Sequence, residues 1–177
     1  RNDSDLAVES YYGGGVALSG DRLVVTSSTS FYTYDVSLGE PSLVDVASRE
    51  GAYWPLQAFV FDGDWLLQAP DDLSVYQWVN DTWVQRLSEA ESVALWSEDY
   101  YRVKSAVGGS APLEWFVALY GFDDRCAVNR LWVDESFTFQ TEQLFVVPGN
   151  CGRLARLGDD LVLSGVDDEG IYADGVG

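Results

Sequence analysis

The chain has no histidine, no methionine and a single lysine, Lys104. Without histidine, the common mixed zinc sites and every Ser–His–Asp scheme are excluded. With Arg at position 1 and no Met anywhere, the sequence reads as a processed or excised segment. Its first residues do not resemble a signal peptide, and no apolar run is long enough to cross a bilayer, so membrane insertion is not expected. Positive charge is equally scarce. Ten Lys and Arg face 29 Asp and Glu, a formal net charge of −19. Nucleic acid is therefore not expected as a partner, because phosphate binding needs a cationic surface. An acidic, lysine-poor surface suits a salt-rich medium that screens self-repulsion, and a GC-rich genome favouring Arg gives the same bias.

What is abundant is apolar. Hydrophobic residues make up 47% of the 177 residues and aromatics 14%, enough for one domain with a sizeable core despite the charge. They are arranged in a repeat. A small or acidic pair, a spacer, a small residue and a β-branched or aromatic pair recur at Ser27–Tyr32, Asp71–Tyr76, Asp123–Val128 and Asp167–Tyr172. The second residues of the pairs, 28, 72, 124 and 168, are spaced 44, 52 and 44 residues apart. A period of roughly 40–45 residues is that of propeller blades. Ahead of these units, Val16–Val25, Phe59–Leu67 and Leu157–Leu163 each read as two short strands around a Gly-Asp or Asp-Gly turn.

These features predict an all-β chain, a four-bladed β-propeller of four-stranded antiparallel blades forming one domain over residues 1–177. The blades fall at about residues 13–49, 52–90, 92–147 and 151–177. Blade two reads as strands Leu56–Phe61, Trp65–Ala69, Ser74–Val79 and Thr82–Leu87, with an Asn80-Asp81 turn. Blade three departs. Its first strand is placed at Ser92–Trp96, where Val93-Ala94-Leu95 echoes Val16-Ala17-Leu18, and its second at Trp115–Tyr120, leaving Ser97–Glu114 as an insertion. A helical reading competes there, because Ser88 and Glu91 have capping-box spacing and Val93, Trp96, Tyr100 and Val103 share a helical face. Blade four stops before a fourth strand, and the alternating segment Asp5–Tyr11 is expected to supply it and close the ring.

The units Leu18–Val25, Asp64–Trp78 and Gly158–Tyr172 resemble FG-GAP repeats, the blades of integrin α-subunit heads and of many bacterial secreted propellers. The resemblance is fullest at Asp64-Trp65-Leu66-Leu67-Gln68-Ala69-Pro70 with Val75-Tyr76-Gln77-Trp78, partial in blade one and faint in blade three. It implies a secreted propeller and says little about activity. The calcium-binding members carry several alternating Asp residues between the first two strands, a loop that has shrunk here to Gly-Asp. Family propellers commonly have seven blades.

No catalytic set stands out, so the chain is not expected to be an enzyme. Its expected role is an extracellular or cell-surface module that binds a protein or glycan, with self-assembly as a further option. The alternatives are a structural subunit of a surface layer, filament or larger propeller, and a secreted carboxylate-dependent hydrolase. The pairs Asp71/Asp72, Asp123/Asp124 and Asp167/Asp168 would ring one end of a propeller, as a binding site or simply as turn residues. No cofactor or resident metal is expected, weak calcium binding being the most these acids offer. Tyr100, Tyr101, Arg102 and Lys104 form an aromatic and cationic group in the expected insertion, a second candidate surface. Cys126 and Cys151 each follow a loop on the same face of neighbouring blades and are expected to form a disulfide, which fits an oxidising compartment. Asn2-Asp3-Ser4 and Asn80-Asp81-Thr82 match the N-glycosylation pattern, so Asn2 and Asn80 are candidate acceptors.

Overall fold

Short apolar runs punctuated by residues that accept positive φ build the chain from hairpins. In a computed structural model, residues 15–27, 30–48, 58–69, 73–96, 100–167 and 170–176 are described. They form four consecutive antiparallel sheets, each meandering in sequence order. Sheet one holds β1 (Val16–Ser19), β2 (Arg22–Thr26), β3 (Ser30–Asp35) and β4 (Ser42–Ser48). Sheet two holds β5 (Ala58–Asp62), β6 (Trp65–Ala69), β7 (Ser74–Val79) and β8 (Thr82–Leu87), followed by the short helix α1 (Glu89–Val93). Sheet three holds β9 (Tyr100–Gly108), β10 (Glu114–Gly121), β11 (Arg125–Val133) and β12 (Phe139–Pro148). Sheet four holds β13 (Asn150–Leu157), β14 (Asp160–Asp167) and β15 (Gly170–Val176).

The turns explain why these strands pair as hairpins. Asn80 and Asp81 both have positive φ, 52° and 62°, the conformation of a type I′ turn, whose twist matches that of the strands it joins. Gly63 supplies the positive φ, 56°, at the first position of the turn between β5 and β6. A Cβ added there meets nothing within 4 Å, so the dihedral and not space calls for glycine.

The first strands of successive sheets touch in order, β1 on β5, β5 on β9 and β9 on β13. That is the arrangement of a propeller, whose blades face one another around a common axis through their first strands. Each gap between neighbouring sheets has its own core. Val24, Phe31, Leu66, Tyr76 and Trp83 fill the first gap, where Phe31 meets Tyr76 and Trp83 edge to face. Leu67, Val75, Leu87, Val103, Trp115 and Leu131 fill the second. Ala118, Cys126, Val128, Leu154, Leu161 and Leu163 fill the third. The middle strands β6 and β10 are therefore almost wholly buried, while the outermost strands β4 and β12 are largely exposed.

Three expectations are met closely. Strands β6, β7 and β8 have the expected bounds. Cys126 and Cys151 form the disulfide, with Cα atoms 5.0 Å apart, across the gap between sheets three and four. Beside it the Gly149 N–H donates to the Asp124 carbonyl at 2.6 Å, which places those two loops on one face.

Sheet three corrects the sequence reading. Ser92–Trp96 is not a strand, and Ser97–Glu114 is not an insertion: β9 occupies Tyr100–Gly108 and is the first strand of the sheet. The capping box decided the outcome locally. The Ser88 hydroxyl accepts from the Glu91 N–H, and the Glu91 carboxylate accepts from the Ser88 N–H at 2.9 Å. The buried Ser92 hydroxyl then accepts the Leu73 N–H at 3.1 Å, tying α1 to the loop before β7. The helical segment ends by Ala94, so Tyr100 and Val103 belong to a strand and Val93 is exposed. The echo of Val16-Ala17-Leu18 was three residues long and carried no pairing partner. The expected closing strand, residues 5–11, lies outside the described residues, as does Asn2.

Candidate functional site

Each four-stranded sheet carries one bulge in its outermost strand. Thr33 pairs with Asp45 and Tyr34 with Leu43, so Val44 is the extra residue of β4. Arg86 is its counterpart in β8 and Leu144 in β12. A bulge bends the strand and re-aims the side chains beside it. In sheet one it sets Asp45 toward sheet two, where Asp45 Oδ2 accepts the Trp83 N–H at 3.4 Å. The Trp83 indole N–H donates to Thr33 Oγ1 at 2.7 Å, a second tie across the same gap.

Asp45 and Trp83 also line a cleft of about 590 Å³. Asp45, Val46, Ala47 and Ser48 of β4 form one wall, and Thr82, Trp83 and Gln85 of β8 the other. Ser74 and Tyr76 of β7, with Ser88 and Ala90, complete the lining. Tyr76 is held from behind by the buried Gln68, whose Nε2 donates to the Tyr76 hydroxyl at 3.3 Å. Gln68 Oε1 is buried with no hydrogen-bond partner. The lining thus offers hydroxyls, one amide and one carboxylate against the edges of two core aromatics. Its volume falls within the range of about 300–1,000 Å³ common for small-molecule sites.

The residues nominated from sequence are placed differently. Asp123 and Asp124 sit on the turn between β10 and β11, and both carboxylates are engaged. Asp123 pairs with Arg125 at 3.2 Å, and Asp124, at φ 50°, accepts from the Tyr120 hydroxyl. Asp167 ends β14, while Asp71, Asp72 and Asp168 lie outside the described residues. Among the described residues, no group of three or more His, Cys, Asp or Glu is placed to hold a metal ion.

Tyr100, Tyr101, Arg102 and Lys104 are on strand β9, not on a loop. Tyr100 packs partly buried against the core between sheets two and three, and Lys104 Nζ lies 5.4 Å from the Tyr120 ring centre. The group therefore belongs to a paired strand and not to an insertion. Asn80 is exposed at its turn, where a glycan has room.

Two other charged clusters are structural ties. Glu114 is buried and fastens the loop between β9 and β10. It accepts from the Ser110 and Ala111 N–H groups at 3.0 and 3.2 Å and from Arg130 Nε at 2.5 Å. Burial alone would raise its carboxyl pKa, but the loop N–H groups and Arg130 outweigh burial and hold it below the ordinary glutamate value. Arg22 pairs with Asp64 and lies over the Phe61 and Trp78 rings, bridging sheets one and two.

Neither a protein-family model nor a curated protein sequence matches the chain. Among solved structures it is similar to the computationally designed Ika4 protein. The two share 12% identity and a TM-score of 0.54, over 96% of this chain and 95% of that one. A functionally unknown protein from Desulfotomaculum acetoxidans DSM 771 matches at 11% identity and TM-score 0.49, over 94% of this chain and 70% of that one. The N-terminal domain of Nup159 matches at 13% identity and TM-score 0.38, over 91% and 59%. At such identities a likeness concerns the fold alone. Among the described residues, no helix is long and apolar enough to cross a membrane.

Proposed function

We propose that the chain is a non-catalytic extracellular binding module, built as a four-bladed propeller of FG-GAP-like repeats and closed by residues 5–11 pairing with β15. The cleft between sheets one and two carries the binding reading: a cavity of ligand size, walled by two outer strands and backed by an aromatic core. The Cys126–Cys151 disulfide is compatible with an extracellular location. The ligand classes are a protein segment or a glycan. The test is a pair of arrays, one of glycans and one of peptides, probed with the intact chain and with Thr82→Arg and Gln85→Arg, two exposed positions on the cleft wall. Binding that both variants lose without a change in melting temperature is expected. No binder on either array, or binders that ignore both substitutions, would overturn the reading.

Assembly is the second reading, supported by apolar side chains left exposed on sheet one. Val16 is 67% exposed, Leu18 61% and Leu43 54%. Burial of such side chains against another surface is favourable, and salt that screens the net charge promotes it. Native mass measured across a range of salt is expected to rise in the parent and stay monomeric in Leu18→Ser. A parent that is monomeric throughout would discard assembly.

A further inference from the structure

We propose that the cleft between the first two sheets takes a neutral saccharide, an inference that rests on the binding-module reading above. Its lining has the chemistry a sugar needs. Ser74 and Tyr76 supply hydroxyls that both donate and accept, and the Gln85 amide does the same through separate atoms, with Ser48 and Thr82 at the rim. Asp45 supplies a carboxylate able to accept from two neighbouring sugar hydroxyls while one oxygen keeps the long contact to the Trp83 N–H. Vicinal diols present this alternation of donors and acceptors, and their C–H faces tolerate the aromatic edges of Tyr76 and Trp83.

Charge decides against the other ligand classes. The cleft has one carboxylate and no cation in its lining. On a chain of net charge −19, anionic ligands are repelled without local compensation. An extended peptide draws its affinity from pockets for alternate side chains. The apolar part of this lining is Val46, Ala47 and Ala90 beside the two aromatics.

Gln68 extends the polar character of the cleft inward. It is 2% exposed, lies opposite Ser74 in the β6–β7 register, and donates to Tyr76, so it stands one strand further in beside two residues of the cleft floor. Its Oε1 is a buried acceptor with no protein partner. An unpaired buried acceptor costs free energy, and here it makes the layer beneath Ser74 and Tyr76 polar. At about 590 Å³ the cleft has room for a disaccharide.

The experiment is a titration of the isotope-labelled intact chain with cellobiose, maltose, chitobiose and mannobiose, followed by amide and indole NMR signals. At least one disaccharide is expected to shift the Trp83 indole and Gln85 amide signals, with affinity in the millimolar range. Asp45→Asn, which keeps an acceptor for the Trp83 N–H, and Gln85→Ala are each expected to weaken it about tenfold at unchanged melting temperature. Asp123→Asn, on the remote turn, is expected to change nothing. Failure of all four disaccharides to move these signals, or equal affinity in Asp45→Asn, overturns the saccharide assignment. Peptide binders on the arrays that are lost in Thr82→Arg would overturn it too, and would leave the binding-module reading standing.

Discussion

Removing the Cys126–Cys151 crosslink tests how far the joint between sheets three and four limits the stability of the whole chain. The bond closes a loop of 25 residues, for which the unfolded-state entropy is worth about 3.5 kcal/mol at room temperature. For a chain of this length, about 1 kcal/mol moves the melting temperature by about 2–4 °C. Reduction alone is therefore expected to lower it by about 7–14 °C. The double variant Cys126→Ala with Cys151→Ala should fall slightly further. Cys126 is fully buried beside Val128 and Leu163, and its sulfur would leave a small void. Calorimetry of the oxidised chain, the reduced chain and the double variant separates the crosslink from the packing. A fall of less than about 3 °C on reduction would refute the entropic argument. Two titratable thiols in the denatured, unreduced chain would refute the bond itself.

Three further outcomes are expected. The Glu114 carboxyl is held below its ordinary pKa in the folded chain, so its stabilising effect is complete above that ordinary value and is lost as pH falls through the lowered one. Glu114→Gln should flatten that part of the acid-unfolding profile, and an unchanged profile would mean the loop does not depend on the charge. Gly152→Ala should cost about 1–3 kcal/mol in denaturant titration, because its Cβ would collide with the Ser164 main-chain carbonyl at the β13–β14 irregularity; a neutral result would mean that the two strands separate freely there. Asp81→Gly should be neutral or stabilising by up to about 1 kcal/mol, since Asp81 holds φ 62° in a type I′ turn, whereas Asn80→Val should destabilise. Stabilisation by valine would mean the turn is not I′.

The strands of sheet two were legible because three signals agreed there. Alternation, β-branched content and a turn dipeptide all placed Ser74–Val79 and Thr82–Leu87 where the structure has them. Sheet three was misread where the signals conflicted. Val93-Ala94-Leu95 favoured a strand by similarity to another blade, while Ser88 and Glu91 favoured a helix by local hydrogen bonding, and the local bonds prevailed. The disulfide was legible for a different reason. Once the repeat fixes which loops share a face, two cysteines each placed one or two residues after such a loop, in adjacent sheets, are brought together by topology alone.

The cleft could not be read from the sequence in the same way, and the cause is geometric. Its walls come from β4, β7 and β8, and no two of its polar side chains form a motif along the chain. Asp45 enters it only because Val44 is a bulge residue, which shifts the pairing of everything before it in β4 by one. By simple alternation from Ser42, Asp45 shares a face with Leu43, and nothing in Ser-Leu-Val-Asp-Val marks the extra residue. The same device recurs at Arg86 and Leu144, at the outer edge of each four-stranded sheet. A repeat of 44 to 52 residues sets where the sheets fall, and a single unpaired residue per outer strand sets which side chains face the gaps between them. A search for sites in such chains should therefore begin from the outer-strand bulges rather than from the acidic turns, since in sheet one the bulge sets the one carboxylate of the cleft, whereas the described turn acids at 123 and 124 are already engaged by Arg125 and Tyr120.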